Sequence, residues 1–244
     1  MTTSDPAPKK RVVYKSKVSK IIDHTAEFRE IWIELVEPRE FSFRAGQFLM
    51  LHVPAANKPV LRAYSIASSD KEKQQLKLIF KYVTKGVASE FVWKLKLNEE
   101  FLFTGPFGKV FLKEPVLDQL IFLCTGSGVA QHICFLESHA DLLREKNISF
   151  FMGLTSENNI YYEAELKKVR NEFRNFNYEY VLSQPSGAWT GRKGYVQNQI
   201  EHLNYTKIPT DFYLCGNGTM IKQTKEKLAG LGILPVNIIY EAFD

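Results

Sequence analysis

The chain has 244 residues, 45% of them hydrophobic and 24% charged, with a formal net charge of +5; it is long enough for two domains with a core in each, and its composition is that of a soluble globular protein. No apolar run approaches the roughly 20 residues of a membrane helix, the polar start MTTSDPAPKKR lacks a signal-peptide core, and the basic residues form no run beyond Lys9–Arg11. Membrane insertion, secretion and nucleic-acid binding are therefore not expected, while the modest positive charge permits docking of an acidic partner.

Residues 1–10 are expected to be a disordered tail. From 11 to 112 short β-type runs follow one another. RVVYKSKVSKI, EIWIELV, QFLMLHV, LRAYSIAS, LKLIFKYV and EEFLFTG carry branched and aromatic residues, parted by turn-like stretches such as EPREFSFRAG and PAANKP. With one helix-like piece among them, VASEFVWKL, they predict a small antiparallel sheet, closed or partly closed into a barrel. The character changes near GPFGKVFLKEPVLD. Through 113–244 the strands QLIFLC, NISFFMGL, YEYVLS, DFYLCG and VNIIYEAF alternate with helical stretches: VAQHICFLESHADLLREK, IYYEAELKKVRNEF, GYVQNQIEHL and TMIKQTKEKLAGLG. That alternation predicts parallel βαβ units in a doubly wound sheet. A ligand is expected where the two halves meet.

Three stretches carry candidate chemistry. LCTGSGVAQHI puts a Gly-rich turn between a buried strand and a helix; Gly126 and Gly128 permit close backbone approach, and the helix start offers free N–H groups to an anion such as a pyrophosphate. TGSG is not a full GxGxxG pattern, so a tight turn with no ligand stays open. DFYLCGNGTMIK is a second strand-to-helix turn, with Cys215, Gly216 and Asn217 at the carboxyl end of the strand, where open α/β sheets bind ligands; a lone cysteine there is also a common small core residue. In RAYS, alternation puts Arg62 and Tyr64 on one face and Ser65 on the other unless the strand ends or twists there. An arginine fork, a flat phenol and a hydroxyl suit a ligand with a phosphate, a flat ring and ring heteroatoms. Three such residues alone also describe a half-buried strand with a surface arginine.

Other features carry less. The cysteines at 124, 134 and 215 are odd in number and include no CxxC pair, which suits a reduced, cytoplasmic setting. The histidines at 24, 52, 132, 139 and 202 are scattered; His132 and His139 are read as helix surface, and no metal site is expected. NYT at 204–206 fits a glycosylation pattern but has no secretory context. Trp189 is read as packing or as lying near an adenine.

Taken together, the motifs resemble those of the ferredoxin–NADP reductase superfamily over nearly the whole chain, in the right order. RAYS is similar to the RxY[ST] flavin signature, AGQF at 45–48 to the turn before it, GVAS at 86–89 to the segment opening the barrel's helix, and GPFG at 105–108 to the stretch closing the barrel. CTGSGVAQ resembles the TGxGxAP turn, WTGRKGYV at 189–196 the TGR segment, YLCGNGTMI the CGxxxM segment, and EAF at 241–243 the closing ExF. The resemblance implies an N-terminal FAD-binding barrel and a C-terminal nicotinamide-binding α/β domain. It implies that Arg62 binds the FAD phosphate, that Tyr64, next to Ala63, stacks on the isoalloxazine, and that Ser65 hydrogen-bonds near flavin N5. Val87, Ala88 and Ser89 would cradle the pyrophosphate through backbone N–H groups. Thr125 and Gly126 would line the nicotinamide side, with Ser127, Gly128 and Gly216 also cofactor-binding; Cys215 would sit near nicotinamide C4, Glu241 at the catalytic edge, and Phe243 over the flavin face. Ser65, Cys215 and Glu241 are the implied catalytic residues.

Some positions depart from the pattern. Gln131 stands where proline is usual, and Cys124 where a smaller residue is. The arginines that NADP-using relatives carry after the second and third strands are replaced by Gly153–Leu154–Thr155 and Ser183–Gln184, leaving Ser183 and Arg192 on the adenosine side. A dianionic 2′-phosphate normally takes more than one charged contact, so NADH is favoured over NADPH. The chain has no cysteine set for an iron–sulfur domain of its own. Its electrons would leave for a separate acceptor, with an acidic ferredoxin or flavodoxin ranked first. An oxygenase-reductase component or a reductase of free flavins ranks second, and a non-enzymatic flavin or nucleotide sensor third.

Overall fold

The computed structural model describes residues 12–203 and 208–243; the expected tail at 1–10 and the NYT at 204–206 lie outside the described residues. In the first half six strands form one antiparallel sheet: β1 (Val13–Asp23), β2 (Phe28–Glu37), β3 (Phe48–Val53), β4 (Val60–Ser65), β5 (Gln75–Lys81) and β6 (Glu100–Phe107), in the order β4-β3-β6-β1-β2-β5. The edge strands meet through a single bridge from Ile66, just past β4, to Leu78 in β5, which closes the sheet on itself. Alternation puts Ile31, Ile33 and Leu35 of β2 and Leu76, Leu78 and Phe80 of β5 inside. There they meet an aromatic cluster in which Tyr14 stacks on Phe103 and Phe41 packs edge-on to both. The helix α1 (Val87–Lys94) lies between β5 and β6.

The second half is a parallel sheet of β7 (Gln119–Thr125), β8 (Asn147–Leu154), β9 (Asn175–Leu182), β10 (Arg192–Lys193), β11 (Thr210–Asn217) and β12 (Ile238–Phe243), in the order β10-β9-β8-β7-β11-β12. Its helices are α2 (Val129–Ser138), α3 (Ala140–Leu143), α4 (Glu163–Glu172) and α5 (Gly218–Gly230). β7 reads as a continuous apolar run because both faces are covered. Phe122 and Cys124 belong to the cluster holding α2; Ile121 and Leu123 pack with Met220, Ile221 and Leu228 of α5. The chain winds outward from β7 to β10 and returns to β11, so the sheet's switch point falls between β7 and β11.

Three expectations about helices change. GYVQNQIEHL forms no α-helix but two short 3-10 turns, Val196–Asn198 and Ile200–His202; the Gln199 amide donates to the carbonyls of Lys193 and Tyr195, a local alternative to helical bonding. VAQHICFLESHADLLREK breaks at His139, whose backbone leaves the helical region (φ −115°, ψ 28°), giving α2 and the single turn α3. In IYYEAELKKVRNEF the helix begins only at Glu163, because Tyr162 takes a left-handed conformation (φ 64°) and buries its ring.

His132 also differs from expectation. It is buried between Phe122 and Phe150, not on the helix surface, and burial pushes its pKa down to about 3.

Candidate active site

A cavity of about 930 Å³ runs along the junction of the two halves. One wall is β4, the end of β5 and the start of α1. The other is the carboxyl ends of β7, β8, β9 and β11, with Phe243 of β12.

Arg62, Ala63, Tyr64 and Ser65 all line this cavity. Simple alternation would have turned Ser65 away; β4 is an edge strand that ends at Ser65, and the wall curves there towards the Ile66 bridge. Arg62 is exposed, its Nη1 donating to the Leu61 carbonyl at 2.9 Å. The Tyr64 ring lies 4.4 Å from that of Phe80, and burial pushes its phenol pKa up to about 12 against the opposing charge of Arg62. Ser65 is 4% exposed, and its hydroxyl has no well-formed hydrogen bond among the described residues. Beside β4, α1 starts at Gly86 with no side-chain cap, leaving its first N–H groups at the cavity. Ser89 spends its hydroxyl accepting the Val83 N–H at 2.9 Å, so its backbone is what it can offer a ligand.

The opposite wall is built by two interlocked turns. Gly126–Gly128 forms a 3-10 turn into α2, starting in the left-handed region at Gly126 (φ 53°). A Cβ on Gly128 would lie 2.3 Å from the Cys215 carbonyl oxygen, and one on Gly216 (φ 131°) would lie 2.3 Å from Thr125 Oγ1. Glycine at both positions thus lets β7 and β11 end side by side. Thr125 Oγ1 accepts the Asn217 N–H at 2.9 Å, and Asn217 in turn caps α5 by accepting from Thr219 and Met220. Thr125, Gly126, Ser127 and Ser183 line the cavity, as do Val87, Ala88 and Ser89 across from them.

Five of the expected residues stand off the wall: Gly128, Arg192, Cys215, Gly216 and Glu241. Gly128 and Gly216 shape the turns from behind. Cys215 is fully buried, in register with Cys124 on one side and Glu241 on the other, and burial raises its thiol pKa well above the ordinary value. Arg192 is gripped by Glu179 through Nε and Nη2 at 2.6 and 2.9 Å and donates to Gln199 Oε1 at 3.1 Å. Glu241 lies behind Ser65. Burial raises its pKa to about 7, and the Ser65 hydroxyl pulls it the other way. Trp189 is off the wall too, its indole N–H donating to the Arg192 carbonyl.

Sequence reasoning missed the strut between the halves. Phe28 of β2 lines the cavity and stacks on Tyr161 at 4.2 Å, and the Tyr161 hydroxyl donates to the Gly126 carbonyl at 3.0 Å. The barrel is thereby tied to the glycine turn itself. The Tyr161–Tyr162 pair was the available signal, hidden by its helix-like context. Lys81 and Lys85, on the barrel wall, also went unnoticed.

Residues 15–112 match the oxidoreductase FAD-binding domain family, and residues 122–226 match the oxidoreductase NAD-binding domain family. The chain belongs to the ferredoxin–NADP reductase superfamily. It is 27% identical over 267 residues to a Na(+)-translocating NADH-quinone reductase subunit of Neisseria gonorrhoeae, an alignment covering 91% of this chain and 66% of that protein. The chain therefore spans just under two thirds of that relative. It is also 27% identical over 241 residues to the toluate 1,2-dioxygenase electron transfer component of Pseudomonas putida, covering 98% of this chain and 70% of the other. In fold it is similar to a ferredoxin NADP+ reductase from Neisseria gonorrhoeae solved with FAD and NADP bound, with a TM-score of 0.80 at 22% identity, covering 94% of this chain and 98% of that one. As a member of this superfamily it is an oxidoreductase built from an FAD-binding and an NAD-binding domain. The site suits those groups: an uncapped helix start faces the cavity beside an exposed arginine, and a buried hydroxyl with no well-formed hydrogen bond among the described residues stands next to a half-buried tyrosine.

Proposed function

We propose that the protein draws electrons from a nicotinamide nucleotide through FAD and passes them to a separate acidic carrier protein, a ferredoxin or flavodoxin, as a ferredoxin/flavodoxin–NAD(P)+ reductase does. The observation that carries this reading is the junction cavity, with Tyr64 and Ser65 on one wall facing the Thr125–Ser127 turn on the other. FAD, when bound, supplies a ring that accepts a hydride from a nicotinamide ring and releases the electrons onward. The rest falls to the chain. Arg62 and the N–H groups of Val87, Ala88 and Ser89 hold phosphates. Tyr64 provides a ring to stack on, and the Ser65 hydroxyl meets a ring heteroatom. Thr125, Gly126 and Ser127 would receive the nicotinamide side, and Phe243 would cover the flavin face. Glu241, with a pKa near neutrality, holds or gives up a proton next to Ser65. Gly128, Cys215 and Gly216 act through backbone shape.

NADH is the favoured nucleotide. Among the described residues the α/β wall carries no lysine or arginine, and the Arg192 guanidinium is already matched by Glu179. The net charge of +5 suits an acidic partner. A cytoplasmic setting agrees with three free, buried cysteines; no described helix is long and apolar enough to cross a membrane. Similarity to the toluate dioxygenase component supports a second reading, in which the acceptor is an oxygenase.

The test is anaerobic stopped-flow mixing of FAD-loaded protein with NADH and NADPH in parallel, then with candidate carriers. Fast bleaching of the flavin band, faster with NADH, is expected. Protein that emerges colourless from gel filtration and oxidises NADH only when free flavin is added would replace the carrier reading with that of a free-flavin reductase. FAD that stays bound yet is bleached by neither nucleotide would make the protein a sensor.

A further inference from the structure

Gln131, in the first turn of α2, is 1% exposed. Its amide has two N–H bonds, and Nε2 has two acceptors. It donates to the Gly46 carbonyl at 3.1 Å and to Glu241 Oε2 at 2.8 Å. One side chain thus joins three stretches distant in sequence: the turn ahead of β3 in the barrel, the start of α2, and the last strand of the second sheet. The barrel anchor is fixed. Gly46 sits at φ 98°, and a Cβ there would lie 2.1 Å from the Val110 carbonyl oxygen and 2.9 Å from the Phe135 ring. The other end is held in a tight frame: a Cβ on Gly108 would come within 3.4 Å of Glu241 Oε1.

We propose that Gln131 is a positioning residue for the reaction: its amide pins the Glu241 carboxylate beside the Ser65 hydroxyl, using the barrel turn as its second anchor, and thereby favours the ionised form of Glu241. This rests on the reductase reading above. The physical ground is that a donor aimed at a carboxylate stabilises the charge, while burial opposes it. Here burial dominates, holding the Glu241 pKa at about 7, and the Ser65 hydroxyl opposes it. The group facing Glu241 from β11 that can titrate is the Cys215 thiol, which stays protonated. Ser65 from β4, Gln131 from α2 and Gly108 after β6 do not ionise. Without the amide of Gln131 the carboxylate would lose a donor in a site where, among the described residues, no cation replaces it. Proline, usual at this position in the resemblance, has no donor to give.

The test reads Glu241 directly. In 13C-glutamate-labelled protein the carboxyl resonance missing from Glu241→Gln is titrated in the wild type, in Gln131→Met, which keeps length and removes the amide, and in Gln131→Glu, which keeps shape. The midpoint is expected to rise by roughly one pH unit, a tenfold change in acid dissociation, in Gln131→Met, and further in Gln131→Glu. The pH profile of flavin bleaching in FAD-loaded protein should shift the same way, and the shift should vanish in a Glu241→Gln background. An unchanged midpoint in folded Gln131→Met overturns the proposal. So does an equal effect on the profile with and without Glu241. A moved midpoint in a protein whose wild type is bleached by neither nucleotide upholds the Gln131–Glu241 coupling and overturns the reductase reading instead.

Discussion

Removing the Tyr162 hydroxyl isolates one of the polar contacts that tie the two halves together. Glu30 of β2 is 4% exposed and accepts bonds from the Tyr162 hydroxyl of the second half and from Trp32 Nε1 at 2.6 Å, with His24 Nε2 3.5 Å away. Lys77, itself buried and paired with Glu137 of α2 at 2.5 Å, adds its charge. Burial raises the Glu30 pKa, but the bonds from Tyr162 and Trp32, the neighbouring His24 and the charge of Lys77 outweigh it, and the net shift is downward. Tyr162→Phe keeps the ring against His24 and Tyr161 and deletes one bond to a charged group. That should cost about 1.5–3 kcal/mol. At roughly 2–4 °C per kcal/mol for a chain of this size, the Tm should fall by roughly 3–12 °C at pH 7. The sign of the pH dependence follows. A carboxylate whose folded pKa is depressed contributes stability above its ordinary value of 4.5, and that contribution is lost as pH falls through the folded pKa. The deficit should therefore be full at pH 7 and narrow below about pH 4.5. Scanning calorimetry of both proteins between pH 4 and 8 measures it. A Tm unchanged at pH 7, or a deficit that does not vary with pH, would refute the reasoning.

Two further outcomes are expected. Gly216→Ala forces a Cβ against Thr125 from a positive φ and should cost more than roughly 3 kcal/mol in urea unfolding, whereas Gly187→Ala, with nothing within 4 Å, should stay within about 0.5 kcal/mol. Glu179→Gln should loosen Arg192 and raise the NADPH-to-NADH ratio of kcat/KM about tenfold; an unchanged ratio would put Arg192 out of reach of the 2′-phosphate.

Much of the fold was legible in the sequence because its periodicities are strong. β2 alternates over Ile31–Leu35, β7 is a buried apolar run, and the six expected barrel strands are all present. RAYS and TGSG could be placed because a strand end and a glycine turn are local features. What escaped depends on contacts between the halves. Tyr161 and Tyr162 look like the start of an amphipathic helix until the barrel supplies Phe28 and Glu30 as partners. His132 looks like helix surface until β7 and β8 bring Phe122 and Phe150 over it. Arg192 looks free until β9 presents Glu179. Gln131 reads as an odd substitution in a glycine turn, and its meaning appears only when Gly46 and Glu241 arrive from opposite ends of the chain.

The main apolar core does not stop at the boundary between the sheets. It runs from Ile31, Phe41 and Phe103 in the barrel through Phe135 and Ile133 of α2 to Phe122 and Phe150 beneath. A cut in the connection between β6 and β7 would lay open an oily face on each fragment, with no polar surface ready to cover it. The two halves, though matched by separate domain families, share one continuous core. Swinging the two bodies apart to admit a nucleotide would have to break this shared core.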